Sequence, residues 1–272
     1  MRQIGIVGLG LIGGSAGMAL RRLGAEVSVT GLCLTEDDAR LAERLGAVDT
    51  ASARIESLRG CELVLLATPM TEIEGLFEAI GQSLPEDTLI TDVARVKRPV
   101  IEAARRRLAA AGRFLGGHPM AGRAESGIRH SDPALFNGTP WVFTPEPEQD
   151  LAPFQWWMEL VTRIGARPLL MDAAEHDRQA AYVSHLAFTL SSAYVALARR
   201  KAGEGIAGPG FRGMARLAHG DARMYAEIAA ANQRNLLDAI DNFTQVLAGY
   251  RQAIAGGDRL LPLFSEAGHA SD

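Results

Sequence analysis

Val7-Gly8-Leu9-Gly10-Leu11-Ile12-Gly13-Gly14-Ser15 is the stretch that decides the fold. It follows an apolar run at residues 4–7 with strand character and opens a helical pattern that passes through Ala19 and Leu20. Its three spaced glycines have separate physical tasks. Gly8 permits a tight turn, Gly10 lets backbone approach a pyrophosphate, and Gly13 lets the helix pack closely on the strand. The first helical turn then offers free N–H groups and the positive end of the helix dipole to a phosphate. The spacing alone is a weak signal; its position between a strand and a helix makes it a dinucleotide-binding turn. Gly8, Gly10, Leu11, Ile12 and Gly13 are therefore the expected cofactor contacts.

Outward from this turn, short apolar runs alternate with helical patterns. Strand-like runs stand at Val27–Leu32 and at residues 63–67, 89–91 and 114–115, with helical patterns at 36–45 and 96–108. Residues 63–67 are wholly apolar, as in a strand buried on both faces. Later strands are expected at 141–144 and 168–171, around a helix at 151–164, with Pro133, Pro140, Pro145 and Pro147 marking loops. This rhythm predicts an α/β fold, a Rossmann-type doubly wound parallel sheet. After residue 172 no strand-like run recurs. Residues 172–201 form one long helical pattern with an apolar stripe at Val183, Leu186, Ala187, Leu190, Tyr194 and Leu197. A Gly/Pro loop at 203–210 breaks it, and helices are expected at about 214–219, 222–231 and 232–255. The expected division is a dinucleotide-binding domain at 1–170 and an all-helical substrate and dimerisation domain at 171–272. A homodimer through the helical domain is expected, although its stripes could instead close on the chain's own first domain.

Bulk composition removes several classes. The chain has 272 residues, enough for two domains, with 47% hydrophobic and 22% charged residues and a net charge of −4. Nucleic-acid binding normally needs a concentrated basic footprint; Arg105-Arg106-Arg107 is short and reads as the solvated end of a helix. Cys33 and Cys61 form neither a disulfide framework nor a metal motif, so no metal is expected. No charged and apolar leader precedes the first strand, and no apolar stretch is expected to reach the roughly 18 residues of a membrane helix. The expected location is the cytoplasm, with a small molecule as substrate and neither nucleic acid nor membrane as partner.

At the end of the second strand, where a carboxylate would hold the ribose 2′-hydroxyl of NAD, the chain has Cys33, followed by Leu34. Nothing at that position repels a 2′-phosphate, and Arg40 could reach back, but Glu36, Asp37 and Asp38 are close. The cofactor is thus NADP or NAD, with a slight lean to NADP.

A second motif, Gly116-Gly117-His118-Pro119-Met120-Ala121-Gly122, is more specific. With the opening motif, Ala67-Thr68-Pro69, Asp92-Val93-Ala94-Arg95-Val96-Lys97, Glu175-His176-Asp177, Ser184-His185-Leu186, and Gly210-Phe211 with Arg216, the chain resembles the prephenate/arogenate dehydrogenase family nearly end to end. The resemblance implies oxidative decarboxylation of a cyclohexadienyl acid in tyrosine biosynthesis. That reaction needs a base for the hydroxyl proton, a cation for the substrate carboxylate, and a closed cleft beside the nicotinamide. His118, titrating near neutrality, is the implied base. Arg216 is the implied carboxylate anchor, since a guanidinium binds carboxylate bidentately. His185 and Arg95 are further substrate-binding candidates, and Thr68 and Pro69 join the cofactor contacts together with Cys33 and Leu34. His176 reads as a brace for the start of the long helix; His130, His219 and His269 read as surface residues.

The sequence departs from the family pattern at several places. Arg95 stands where a Ser is usual. Ala124 and Phe188 replace a Glu and a His common in prephenate-preferring members. Gly213 replaces an Asp near Arg216. These changes favour arogenate, or a broad cyclohexadienyl specificity, and leave open a prephenate-like analogue in a specialised pathway. The rival readings are another Rossmann-plus-helical oxidoreductase, such as a β-hydroxyacid dehydrogenase or imine reductase, and a cofactor-binding paralogue without turnover.

Overall fold

The structure, a computed structural model, describes residues 1–123, 125–202, 205–257 and 260–268. Ala124 and His269 lie outside them. The first half holds strands β1 (Arg2–Val7), β2 (Val27–Leu32), β3 (Thr50–Ser52), β4 (Leu63–Leu66), β5 (Leu89–Asp92), β6 (Phe114–Pro119), β7 (Pro140–Thr144) and β8 (Arg167–Leu170). Between them run helices α1 (Leu11–Arg21), α2 (Glu36–Arg44), α3 (Met70–Ser83), α4 (Arg98–Arg107) and α5 (Gln155–Arg163). The strands form one sheet in the order β3-β2-β1-β4-β5-β6-β7-β8. Chain order reverses direction beside β1, so β1 and β4 flank the switch point where α/β sheets open a ligand crevice at their carboxyl ends.

The central strands of the sheet are buried on both faces, whereas the edge strand β8 is exposed. Leu63 and Leu65 of β4 enter one core with Ile4, Val29 and Trp157, while Val64 and Leu66 enter the other with Phe77 and Ile101. This alternation explains why the run is apolar at every position. Helix α3 falls where the sequence reading has no helix. Its buried residues Ile73, Phe77 and Ile80 have helical spacing, but Gly75 and Gly81 interrupt the pattern and weaken the signal. The expected doubly wound parallel sheet is present, with one pairing reversed: β6 and β7 run antiparallel. Among the described residues of 120–139 between them the only helical element is a short 3₁₀ turn, and a parallel return needs a crossover, usually a helix.

The second half is helical: α6 (Ala173–Ala180), α7 (Leu186–Lys201), α8 (Pro209–Ala215), α9 (Ala222–Ala231), α10 (Gln233–Gly256) and α11 (Leu261–Gly268). Asp172 caps α6, its carboxylate accepting the Ala174 and Glu175 N–H groups; such a cap contributes about 1 kcal/mol. Helices α6 and α7 are joined without a break by a π-turn at Ala181–His185. One extra residue per turn there rotates everything after it, and such bulges recur at functional sites. Across 29 residues, Ala173–Lys201 includes a window of mean hydropathy 1.3 and passes the length and composition test for a membrane span. The expectation that nothing reaches that threshold is corrected. Counting uninterrupted apolar runs overlooks a helix rich in Ala, Leu and Ser with charges only at its ends. Its stripe is largely uncovered within one chain, with Val183 68% and Leu197 53% exposed.

Candidate active site

A cavity of about 590 Å³ lies at the carboxyl ends of β1, β4, β5 and β6, closed over by the helical half. Gly10, Leu11 and Ile12 line it from the first turn, Thr68 and Pro69 from the end of β4, Arg95 from the end of β5, His118 from β6, and Arg216 from the segment after α8. A more open depression of about 680 Å³ lies elsewhere, beside Met18, Arg21 and Asp49; its Arg21 is already paired with Asp49, and it holds no candidate base.

The glycine turn is shaped to receive a phosphate. Gly8 has φ +86°, and a Cβ there would stand 2.8 Å from the Ala67 carbonyl oxygen. A Cβ on Gly13 would stand 2.1 Å from the Gly8 oxygen, so the helix meets the strand only if both are glycine. A Cβ on Gly10 meets nothing within 4 Å: the space beyond it is open. Gly10 is the N-cap of α1 and supplies no side-chain cap, so the first-turn N–H groups remain available to an anion. The residues present therefore fit a dinucleotide pyrophosphate.

Cys33 and Leu34 do not line this cavity, and Leu34 is exposed. Burial and then the carboxylates of Asp38, Glu36 and Glu43 push the Cys33 thiol up to about 11. That upward push records a negative field at the end of β2. Arg40, the cation that could reach back, pairs with Asp37 instead.

His118 is buried, and its Nδ1 lies 2.8 Å from Nε2 of His176. His176 Nδ1 lies 2.8 Å from Asp177 Oδ1. Asp177 Oδ1 also accepts the Lys97 main-chain N–H at 2.7 Å, and Oδ2 accepts that of Arg98 at 3.0 Å. Its carboxylate thus caps the start of α4 from another part of the chain. Burial, then His176, Lys97, Arg95 and His185, hold the His118 imidazole well below 6.5, so the ring is neutral at physiological pH.

The peptide before His118 is clamped by a buried ion pair. Lys97 and Asp92 are both fully buried and joined. Asp92 Oδ1 accepts the Gly117 N–H at 2.9 Å, Oδ2 accepts the Ala94 N–H at 2.9 Å, and Lys97 Nζ donates to the Gly117 carbonyl. Burial draws the Lys97 ammonium down, and Asp92 opposes that pull.

Arg95 is partly buried, and desolvation draws its guanidinium below the ordinary value. Neither Arg95 nor Arg216 has an ion-pair partner among the described residues. Arg123, also in the lining, is paired with Asp132. His185 is buried outside the cavity lining. The Asn232 amide donates toward its Nδ1 at 3.2 Å, which puts its proton on Nε2, a buried atom with no hydrogen-bond partner among the described residues. Phe188 stacks on Tyr225, ring centroids 3.5 Å apart, and Tyr225 lines the cavity. His130 and His219 are exposed.

The sequence reading missed Lys97, Asp92 and Asp177 as parts of the site and gave His176 only a bracing role. Each lies inside a quoted motif; what was invisible is which partners the fold brings to them.

Comparison with known proteins gives a consistent result. Residues 16–170 match the family model described as prephenate dehydrogenase, nucleotide-binding domain, and residues 172–264 match prephenate dehydrogenase, dimerization domain. A cyclohexadienyl dehydrogenase of Zymomonas mobilis is 30% identical, covering 98% of this chain and 94% of that protein. The crystal structure of Synechocystis arogenate dehydrogenase superposes with a TM-score of 0.84 at 30% identity, covering 98% of both chains. Prephenate dehydrogenase from A. aeolicus, solved with hydroxyphenyl propionate and NAD+, gives a TM-score of 0.92 at 26% identity over 99% of this chain and 97% of that one. With both halves matched and the site built on the same frame, the chain belongs to the prephenate dehydrogenase family of oxidoreductases.

Proposed function

We propose that the protein oxidises a cyclohexadienyl acid, arogenate or prephenate, with loss of its ring carboxylate as CO2. One observation carries the reading: a phosphate-receiving turn, a neutral buried imidazole and three guanidinium groups without an ion-pair partner among the described residues, Arg95, Arg216 and Arg223, line one cavity. Nicotinamide dinucleotide, when bound, supplies the hydride acceptor. His118 takes the proton of the substrate hydroxyl. Arg216 and Arg95 hold carboxylates, and the helical half excludes water from the cleft. Glu125, Asp221 and Glu227 also line the cavity, which suits the ammonium of arogenate. Residues 1–170 act as the nucleotide-binding unit and 171–272 as the unit that completes the site and dimerises. The uncovered apolar faces of α7 and α10, with Leu197, Val246, Leu247 and Ile254 exposed, form the homodimer contact. The cytoplasm, where the dinucleotide pool is, is its location in this reading.

The test is turnover with arogenate and with prephenate, each with NAD and NADP, followed at the reduced nicotinamide band. Dinucleotide binding without turnover of either acid would sink the proposal. The lean toward NADP rested on the missing carboxylate at Cys33. The field of Glu36, Asp38 and Glu43 around that thiol favours NAD instead, because the same charges repel a 2′-phosphate. We expect kcat/KM with NAD to exceed that with NADP by about tenfold or more, which takes roughly 1.4 kcal/mol of repulsion. Equal values would return the choice to NADP.

Arg216→Ala is expected to raise KM by about 10- to 100-fold, from the roughly 1.5–3 kcal/mol of a hydrogen bond to a charged group. Arg95→Ser should do the same if Arg95 holds a carboxylate. A KM unchanged in either variant removes that residue from substrate binding.

A further inference from the structure

The hydrogen bonds behind His118 determine which of its ring nitrogens is basic. Asp177 receives three contacts: main-chain N–H donors of Lys97 on Oδ1 and Arg98 on Oδ2, and the His176 ring on Oδ1. Main-chain donors on both oxygens favour the carboxylate form of Asp177, which places the proton between it and His176 on His176 Nδ1. In the neutral ring, His176 Nε2 is then a lone pair and can only accept. It stands 2.8 Å from His118 Nδ1, so that nitrogen carries the hydrogen. His118 Nε2 is left bare, with no protein partner among the described residues and with the His118 side chain lining the cavity.

We propose that His176 and Asp177 are positioning residues that lock His118 in the Nδ1–H tautomer and so aim its lone pair at the substrate hydroxyl. The opposite tautomer would present a hydrogen to the cavity and could accept no proton. The inference rests on His118 being the base. In the step, the substrate O–H bond breaks and an N–H bond forms at His118 Nε2, the O–H electron pair closing a C=O as the C–H electron pair leaves as hydride for a bound nicotinamide. The ring carboxylate then departs as CO2, its electron pair aromatises the ring, and the phenolate oxygen takes the proton back from His118. The intervening imidazolium keeps its Nδ1–H bond to His176, whose own proton is held by the Asp177 carboxylate. That carboxylate is the negative charge behind a ring otherwise faced by Lys97, Arg95 and His185, with the Asp92 charge engaged by Lys97. Asn232, donating to the Asp177 carbonyl at 2.7 Å, fixes the helix that carries the pair.

The experiment reads imidazole nitrogen shifts of ¹⁵N-histidine-labelled enzyme with NAD bound, together with kcat, KM and the NAD Kd. His118 is assigned by the signal lost in His118→Asn. The wild type should show a protonated Nδ1 and a bare Nε2 on His118. His176→Phe should lose that single-tautomer pattern. Loss of the orienting carboxylate in a Ser-His-Asp triad costs about 10⁴-fold in kcat; here, with a neutral ring interposed, we expect kcat to fall about 10²-fold while KM and Kd stay within about twofold. His176→Gln, whose carbonyl can still accept the Nδ1–H, should keep the wild-type pattern and recover part of kcat. A bare Nδ1 in the wild type, or an unaltered His118 pattern in His176→Phe, overturns the proposal. If His176→Phe does not fold, the wild-type and Gln spectra still decide. The nitrogen pattern is read without turnover, so this outcome is separable from failure of the substrate assignment.

Discussion

Replacing His118 by Asn lowers kcat by about 10²–10⁴-fold, the usual contribution of a positioned general base, and leaves KM close to the wild-type value. The amide fits the space and keeps a polar group there, but it cannot take a proton. In the proposed reading KM is preserved because the groups that hold the substrate carboxylates are Arg216 and Arg95, which line the cavity from other elements. A companion measurement is the acid limb of kcat/KM, which reports the free enzyme. The base must be unprotonated to act, and burial with neighbouring cations lowers the imidazole below 6.5. Activity should therefore persist as pH falls through 6.5 and disappear only well below it. A mutant with near-normal kcat removes His118 from the chemistry, and a wild-type limb above 6.5 contradicts the electrostatics.

The second large effect is on stability. Asp92→Ala leaves the Lys97 ammonium fully buried with only the Gly117 carbonyl as partner, and it strips the Gly117 and Ala94 N–H groups of their acceptor. Removing one member of a buried pair costs about 3–5 kcal/mol, and for a chain of this size the Tm should drop on the order of 10 °C. The double variant Asp92→Ala/Lys97→Met removes the uncompensated charge and should recover part of the loss. Thermal denaturation of the two variants checks this. A single mutant less than about 1 kcal/mol below wild type, or a double mutant no better than the single, would show that the pair is not what holds β5 to β6.

The nucleotide-binding half was legible in the sequence because its signals are local. Gly8 and Gly13 are demanded by contacts under 3 Å with neighbouring backbone, and β4 is apolar because both its faces are covered. What escaped depends on distance or on a single residue of register. The reversed direction of β7 is a property of a connection without a helix. The π-turn at Ala181–His185 leaves no mark on an apolar stripe, yet it alters which residues face inward; His185, a substrate candidate by motif, ends buried against Asn232. His176 meets His118 across 58 positions of sequence, and no periodicity encodes such a pairing. Arg95 was a substrate-binding candidate that departs from the family pattern; the fold adds that it has no ion-pair partner among the described residues and lines the same cavity as His118.

The carboxylate of Asp177 has a consequence for the chain as a product of descent. Helix α4 begins in one half, yet its first N–H groups are satisfied by a side chain from the other. The halves are therefore not interchangeable modules. A chimera joined near residue 171 inherits a working base only if the donated half brings its own acid and imidazole at matching positions. The nucleotide-binding half expressed alone would fray at the helix that follows the Arg95 loop, losing order beside the reaction centre before losing any residue of it.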